Sequence, residues 1–157
     1  MRFQNVVEIE ASLNDVFEFL ADMRNMPKWN YFVTKVTQEN GEGPELGARY
    51  HQTRKTDSQR YEMIHFEPGI SLIIKTIPGA SPRFERHLRF EAVPNGTRLI
   101  DEMSLPTGYP RILEGLFACR VRRAVAENLG KLKELLEHGH TQLQDGRGVY
   151  LAADGAS

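Results

Sequence analysis

A chain of 157 residues, 40% hydrophobic and 26% charged, has the size and make-up of one globular domain, long enough to bury a core without staples and too short for a second full domain. Twenty Lys plus Arg against 21 Asp plus Glu leave a formal net charge of −1, which excludes a general electrostatic pull toward phosphate backbones, so nucleic acid is not an expected partner. One cysteine, Cys119, excludes an intramolecular disulfide. No apolar run approaches the roughly 20 residues of a spanning helix. Met1 to Glu10 mixes charged with apolar residues where a signal peptide needs an apolar block. The expectation is a cytoplasmic protein without integral membrane association.

In chain order, Arg2 to Glu10 sets Phe3, Val7 and Ile9 on one parity, a period-2 pattern that predicts a strand. Ser12 followed by Asp15 resembles a capping box. Val16, Phe17 and Leu20 then recur at helical spacing, predicting a helix over about Leu13 to Met23. Pro27 opens a further helical turn carrying Trp29, and Tyr31 to Glu39 returns to strand-type residues before the breakers Asn40 to Pro44. Gly47 to Leu105 reads as a run of antiparallel strands with turns at Asp57-Ser58, Pro68-Gly69, Pro78 to Pro82 and Asn95-Gly96.

Taking Asn95-Gly96 as a two-residue loop with positive φ sets Phe90 opposite Asp101, Leu88 opposite Met103, Arg89 opposite Glu102 and Arg86 opposite Leu105. Counting through Pro68-Gly69 sets Tyr61 against Thr76, Met63 against Ile74, His65 against Leu72 and Glu62 against Lys75. Both hairpins then have one apolar and one wetter face, as a curved sheet covering something requires. A long helix follows from about Tyr109 to His138. Leu113, Leu116, Phe117, Val121, Ala124, Val125, Leu129, Leu132, Leu135 and Leu136 form its stripe, Gly139 its C-cap, and Gly130 marks a close contact or bend. Residues 1–138 read as one domain. Residues 139–157 lack periodicity and are expected to form a flexible tail, in which Val149-Tyr150-Leu151 is the segment able to dock.

The order β-α-α-β6-α predicts an α+β fold, a curved seven-stranded antiparallel sheet wrapped around a long C-terminal helix, with space between them. Val7 to Ala11, Asp15 to Asp22, Met26-Pro27-Lys28-Trp29-Asn30, Leu46 to Tyr50, Phe66 to Gly69, Asn95 to Leu99 and Leu129 to Glu137 resemble the helix-grip superfamily, START-like or Bet v 1-like. Within it the chain is similar to the bacterial SRPBCC group described as polyketide cyclase/dehydrase or lipid-transport proteins. The resemblance spans about residues 2–138 and speaks for fold more than chemistry. It implies a small hydrophobic or amphipathic ligand, such as a lipid, isoprenoid or polyketide-like molecule. Two alternatives follow from it: a polyketide cyclase/dehydrase acting in the same cavity, and a protein-interaction module of chaperone-cofactor or quinone-pathway type.

By parity the cavity wall carries Tyr50, Gln52, Tyr61, Met63, His65, Leu72, Ile74, Phe84, Arg86, Leu88, Phe90, Leu99, Asp101 and Met103, and Leu113 and Phe117 face it from the helix. The opposite parity in the third to fifth strands would swap these assignments. Trp29 sits where superfamily members carry a Trp near the cavity mouth, packing the short helices or touching ligand. For an enzyme, His65 or Tyr61 would move protons and Arg86 would polarise a carbonyl. Buried Arg86 and Asp101 must each pair, reach water or meet a polar ligand group, and the counted register argues against their meeting each other. His138 and His140 lack a Cys or carboxylate companion, so no metal is expected. No glycine loop of Walker or dinucleotide type is present, so no cofactor is expected. Cys119 reads as a small packed residue, and Arg120, Arg122 and Arg123 as a solvated face with Glu114 and Glu127 in helical reach. Ile64, Phe66 and Ile73 would form an outer apolar patch suited to an interface, a homodimer being one candidate.

Overall fold

The computed structural model describes residues 1–152. β1 (Arg2–Ile9) leads to α1 (Leu13–Ala21), a 3-10 helix (Met23–Lys28), β2 (Val33–Gln38), β3 (Arg49–Arg54), β4 (Ser58–Glu67), β5 (Ser71–Thr76), β6 (Glu85–Val93), β7 (Gly96–Ser104) and α2 (Arg111–His138). The seven strands form one antiparallel sheet in the order β1-β7-β6-β5-β4-β3-β2, curled around α2. This is the helix-grip architecture expected from the element order.

The local signals act as their chemistry demands. Ser12 caps α1 by accepting from the Asp15 N–H at 3.1 Å, and the helix buries Val16, Phe17, Leu20 and Ala21. Asp22 caps the 3-10 helix through the Arg24 N–H at 3.1 Å. Gly139 ends α2 at φ +78°, its N–H donating to Leu135 O. α2 runs along β1, where Asn5 Nδ2 donates to Arg122 O at 3.2 Å and Lys133 Nζ to Glu8 O at 2.6 Å.

Two registers differ from the count. Val93 faces Gly96, so the β6–β7 loop is Pro94-Asn95, and every partner moves by two: Phe90 faces Leu99, Leu88 faces Asp101 and Arg86 faces Met103. Pro94 explains the shift, because the residue flanking a two-residue loop donates its N–H across the hairpin and a proline has none, whereas φ locked near −65° suits the first central position of an ordinary turn. Gly96 is needed beside it, since at φ +153° a Cβ would lie 2.1 Å from Ile9 O. The shift of two keeps parity, so the inward face stays inward, but Arg89 now faces Ile100 and His87 faces Glu102.

At β4–β5 the loop has three residues, and a bulge at Ile64 restores the count, so Tyr61–Thr76 and Met63–Ile74 pair as expected while His65 faces Ile73 and Phe66 faces Leu72. Beyond the bulge the faces exchange. Phe66 turns in against Phe17, with ring centroids 5.7 Å apart, and His65 turns out to Ser71 Oγ at 2.8 Å. The outer patch of Ile64, Phe66 and Ile73 thereby loses its largest member. Glu62 and Lys75, expected as an ion pair, pair instead with Arg49 at 3.3 Å and Glu85 at 3.2 Å.

The end of the chain corrects another expectation. Where no periodicity signalled structure, β8 (His140–Gln142) and β9 (Gly148–Tyr150) form a hairpin that buries Leu143 and Thr141. Leu151 N donates to Gly139 O at 2.8 Å. The remainder of the expected tail, residues 153–157, lies outside the described residues.

The stripe of α2 is split. Leu129, Leu132 and Leu135 are buried, whereas Ile112, Leu113, Leu116 and Phe117 are exposed because the first turns project past the sheet. Cys119 is exposed, not packed. Gly130 makes no close contact: a Cβ there would meet nothing within 4 Å. Gly130→Ala should therefore stabilise the protein by about 0.5–1 kcal/mol and raise Tm by about 1–4 °C in thermal unfolding. An unchanged or lower Tm would show that the glycine answers a constraint on the helix after all.

Candidate functional site

The concave face of the sheet is divided along the strands. At one end α1 closes it, with Phe17 set against Phe66 and edge-on to Phe90 at 5.0 Å. Tyr50, Met63, Leu72, Leu88 and Leu99 pack into the resulting solid core. At the other end α2 rises away, and a cavity of about 340 Å³ lies between sheet and helix. That volume is within the range of small-molecule sites.

Strand-side walls come from Gln52, Gln59, Ile74, Phe84, Arg86, Met103 and Leu105, and the helix supplies Arg120, Val121, Ala124, Val125 and Asn128. Met26, Asn30, Phe32 and Val33 close a side, and Arg54 completes the lining. Of the candidates from the sequence, Gln52, Ile74, Phe84, Arg86 and Met103 line the cavity. Trp29, Tyr61 and Asp101 stand directly behind its polar groups. Tyr50, Met63, Leu72, Leu88 and Phe90 share the inward face but lie in packed core, His65 faces outward beyond the bulge, and Leu113 and Phe117 are exposed on the projecting turns of α2.

The polar groups of the wall are mostly fixed by one another. Arg86 grips Asp101 with both arms of its fork, Nε to Oδ1 at 2.8 Å and Nη2 to Oδ2 at 2.5 Å, and its guanidinium carbon lies 5.2 Å from the ring centre of Trp29. The contact that the sequence count argued against exists because the two-residue shift places Asp101 diagonally across from Arg86. Both are buried and opposite in charge, so the pair is neutral, and Nη1 makes no bond to protein among the described residues. Gln59 Oε1 accepts from Gln52 Nε2 at 2.9 Å, while Gln52 Oε1 accepts from the Tyr61 hydroxyl at 3.1 Å. Asn128 Nδ2 donates to Asn30 Oδ1 at 3.1 Å, and Asn128 Oδ1 accepts from Gln144 of the C-terminal hairpin at 2.9 Å.

Burial pushes the Tyr61 phenol far above its ordinary range and Tyr50 up to about 12, so neither ionises near neutrality. Among the described residues the wall contains no histidine, cysteine, lysine or carboxylate. It can hold, orient and hydrogen-bond a guest, but has no group poised to exchange a proton at neutral pH.

Gln59, Arg54, Asn30, Asn128, Arg120 and the helical valines were not picked out as site residues. A signal for part of this set existed, since Val121, Ala124, Val125 and Asn128 fall at helical spacing on the face that continues into Leu132 and Leu135.

Among solved structures the chain is similar to protein MLL2253 from Mesorhizobium loti, with TM-score 0.68, 18% identity and coverage of 91% of this chain and all (100%) of that one. It resembles the Aha1 dimer from Colwellia psychrerythraea at TM-score 0.63 and 17% identity, covering 88% of this chain and 98% of the other. A third similarity is to StfQ, a di-domain ARO/CYC from the steffimycin biosynthetic pathway, at TM-score 0.66 and 16% identity, with 87% of this chain matching 50% of that one. These likenesses speak for the fold. A comparison with curated proteins finds no match. No described helix is long and apolar enough to cross a membrane. The match of a family model along residues 1–137, on a sheet and helix arranged in this way, makes the chain a member of the family described as polyketide cyclase / dehydrase and lipid transport.

Proposed function

We propose that this protein binds a small hydrophobic or amphipathic molecule in the cavity beneath α2. The observation that carries the reading is the cavity itself: about 340 Å³, walled by Ile74, Phe84, Met103, Leu105, Val121 and Val125, with amides and guanidiniums at a few fixed points. Apolar surface left facing a hollow gains stability when a guest excludes water from it, and the few polar groups orient that guest. The family description, which includes lipid transport, supports the same reading.

Cyclase or dehydrase chemistry in this cavity has less support. His65 faces outward, the Tyr61 hydroxyl is engaged by Gln52, and Arg86 is engaged by Asp101. Arg86 and the glutamines remain able to hold a carbonyl of the guest, which is a positioning role.

N-phenyl-1-naphthylamine, a neutral dye that brightens in apolar surroundings, should show saturable binding at one site per chain. Val125→Trp, which puts an indole into the hollow, should weaken that binding at least about tenfold while cooperative unfolding is kept. Absence of saturable binding, or equal affinity in Val125→Trp, would overturn the reading.

A further inference from the structure

We infer that the guest is an acid, an apolar body bearing one carboxylate, and that Arg120 at the cavity rim holds that head. The inference rests on the proposed ligand-binding reading and narrows it. Among the described residues, three guanidiniums and no carboxylate line the cavity. Two of the three are already satisfied. Arg54 forks onto Asp57 at 2.6 and 2.5 Å, and Arg86 forks onto Asp101 at 2.8 and 2.5 Å. Arg120 is exposed and has neither an ion-pair nor a hydrogen-bond partner among the described residues.

Its own helix offers it none. Leu116, Phe117, Arg123 and Ala124 stand at the positions three and four residues away, so none of its helical neighbours is acidic. Glu114, the carboxylate expected to help solvate the arginines of this helix, is turned to the N-terminal ammonium at 2.6 Å. The cavity and its rim therefore carry one uncompensated positive charge on an otherwise apolar or amide wall. A planar fork of N–H donors with no partner is the complement of a carboxylate, which it can bind through two parallel hydrogen bonds.

Inward of Arg120 the helix presents Val121 and Val125, and the sheet opposes them with Ile74, Phe84 and Met103, a path suited to the apolar body. At about 340 Å³ the cavity is at the small end of ligand sites, suited to one short chain or a small ring system rather than a two-chain lipid. A neutral guest of the same shape would leave Arg120 with water alone and gain nothing from it.

The test compares two dyes that differ by one anionic group, N-phenyl-1-naphthylamine and 1-anilinonaphthalene-8-sulfonate, followed by displacement of the anionic dye with dodecanoate and with dodecan-1-ol. The anionic dye should bind about fivefold or more tightly than the neutral one, and dodecanoate should displace it better than the alcohol. Arg120→Gln should weaken the anionic dye about five- to twentyfold and leave the neutral dye within about twofold, while Arg120→Lys keeps most of the preference. Equal affinity of both dyes for the unaltered protein, or equal losses in Arg120→Gln, would overturn the role of Arg120 and leave ligand binding standing. If neither dye binds, the binding reading itself falls.

Discussion

Asp101→Asn should destabilise the protein by about 3–5 kcal/mol, read as a lower midpoint in denaturant at unchanged slope. Asp101 is fully buried and Arg86 only 5% exposed, and the two are joined by both arms of the guanidinium. Coulomb attraction across that pair offsets the cost of taking two ions out of water only while both are present. A guanidinium cannot shed its charge at any accessible pH, so neutralising Asp101 leaves a cation enclosed beside the face of Trp29 with no counter-ion. Attraction between a cation and an indole ring is worth about 2 kcal/mol or somewhat more when desolvated and was already present beside the ion pair, so it does not replace the lost counter-ion. The double variant Arg86→Met/Asp101→Leu should recover most of the loss, because two apolar side chains of similar volume leave nothing unpaired. If Asp101→Asn unfolds within about 1 kcal/mol of the unaltered protein, or the double variant loses as much as the two singles summed, the pair does not act as a unit.

The same pair marks the limit of what could be read from the chain. Strand parity was legible throughout β6 and β7, because alternation of apolar with charged residues survives any even shift of register. Pairing was not. It hung on which two of Val93, Pro94, Asn95 and Gly96 form the loop, and the Asn-Gly signal competed with a proline that has no N–H to donate as the flanking residue and suits the first position of an ordinary turn. One turn thus decided whether Arg86 and Asp101 touch. At β4 the one warning was the outward apolar set Ile64, Phe66 and Ile73, which left parity open there without locating a bulge. The bulge falls at Ile64, in a run without glycine or proline, and its cause is the three-residue turn beyond it together with the demand of Phe17 for an aromatic neighbour.

Cavity membership was the least legible feature. Parity says which face of the sheet a residue is on, but not how far along the strand it lies. Met63 and Ile74 pair directly, yet Met63 is packed core and Ile74 lines the cavity. The boundary is drawn by α1 and by the tilt of α2, both long-range. For the same reason one uninterrupted apolar stripe on α2 serves three uses in succession: exposed at Ile112 and Leu116, cavity roof at Val121 and Val125, core at Leu129 and Leu132.

Leu143→Ala should cost about 2–4 kcal/mol and also weaken binding of the neutral dye, although Leu143 is not itself a lining residue of the cavity. Leu143 is 2% exposed in the turn of a hairpin folded back on the C-terminal half of α2. Thr141 Oγ1 donates to Glu134 at 2.6 Å, Gln144 Nε2 to Asn128 at 2.9 Å and Arg147 Nη2 to Pro27 O at 3.0 Å. Two of these bonds reach the walls of the cavity. Asn128 bridges Gln144 and Asn30, and Pro27 belongs to the 3-10 helix that supplies Met26. Loosening the hairpin leaves the Asn128 carbonyl without its donor and frees the segment from Pro27 to Asn30, so the cavity loses shape as well as the fold losing stability. The ion pair from Asp145 to Lys55, at 3.2 Å and about one-third exposed on both sides, adds little by itself. Gln144→Ala separates the two effects: it removes the bridge but not the buried leucine, and should cost at most about 1.5 kcal/mol while still lowering dye affinity. Full affinity in both variants would show the hairpin to be a cap on the helix with no part in shaping the site.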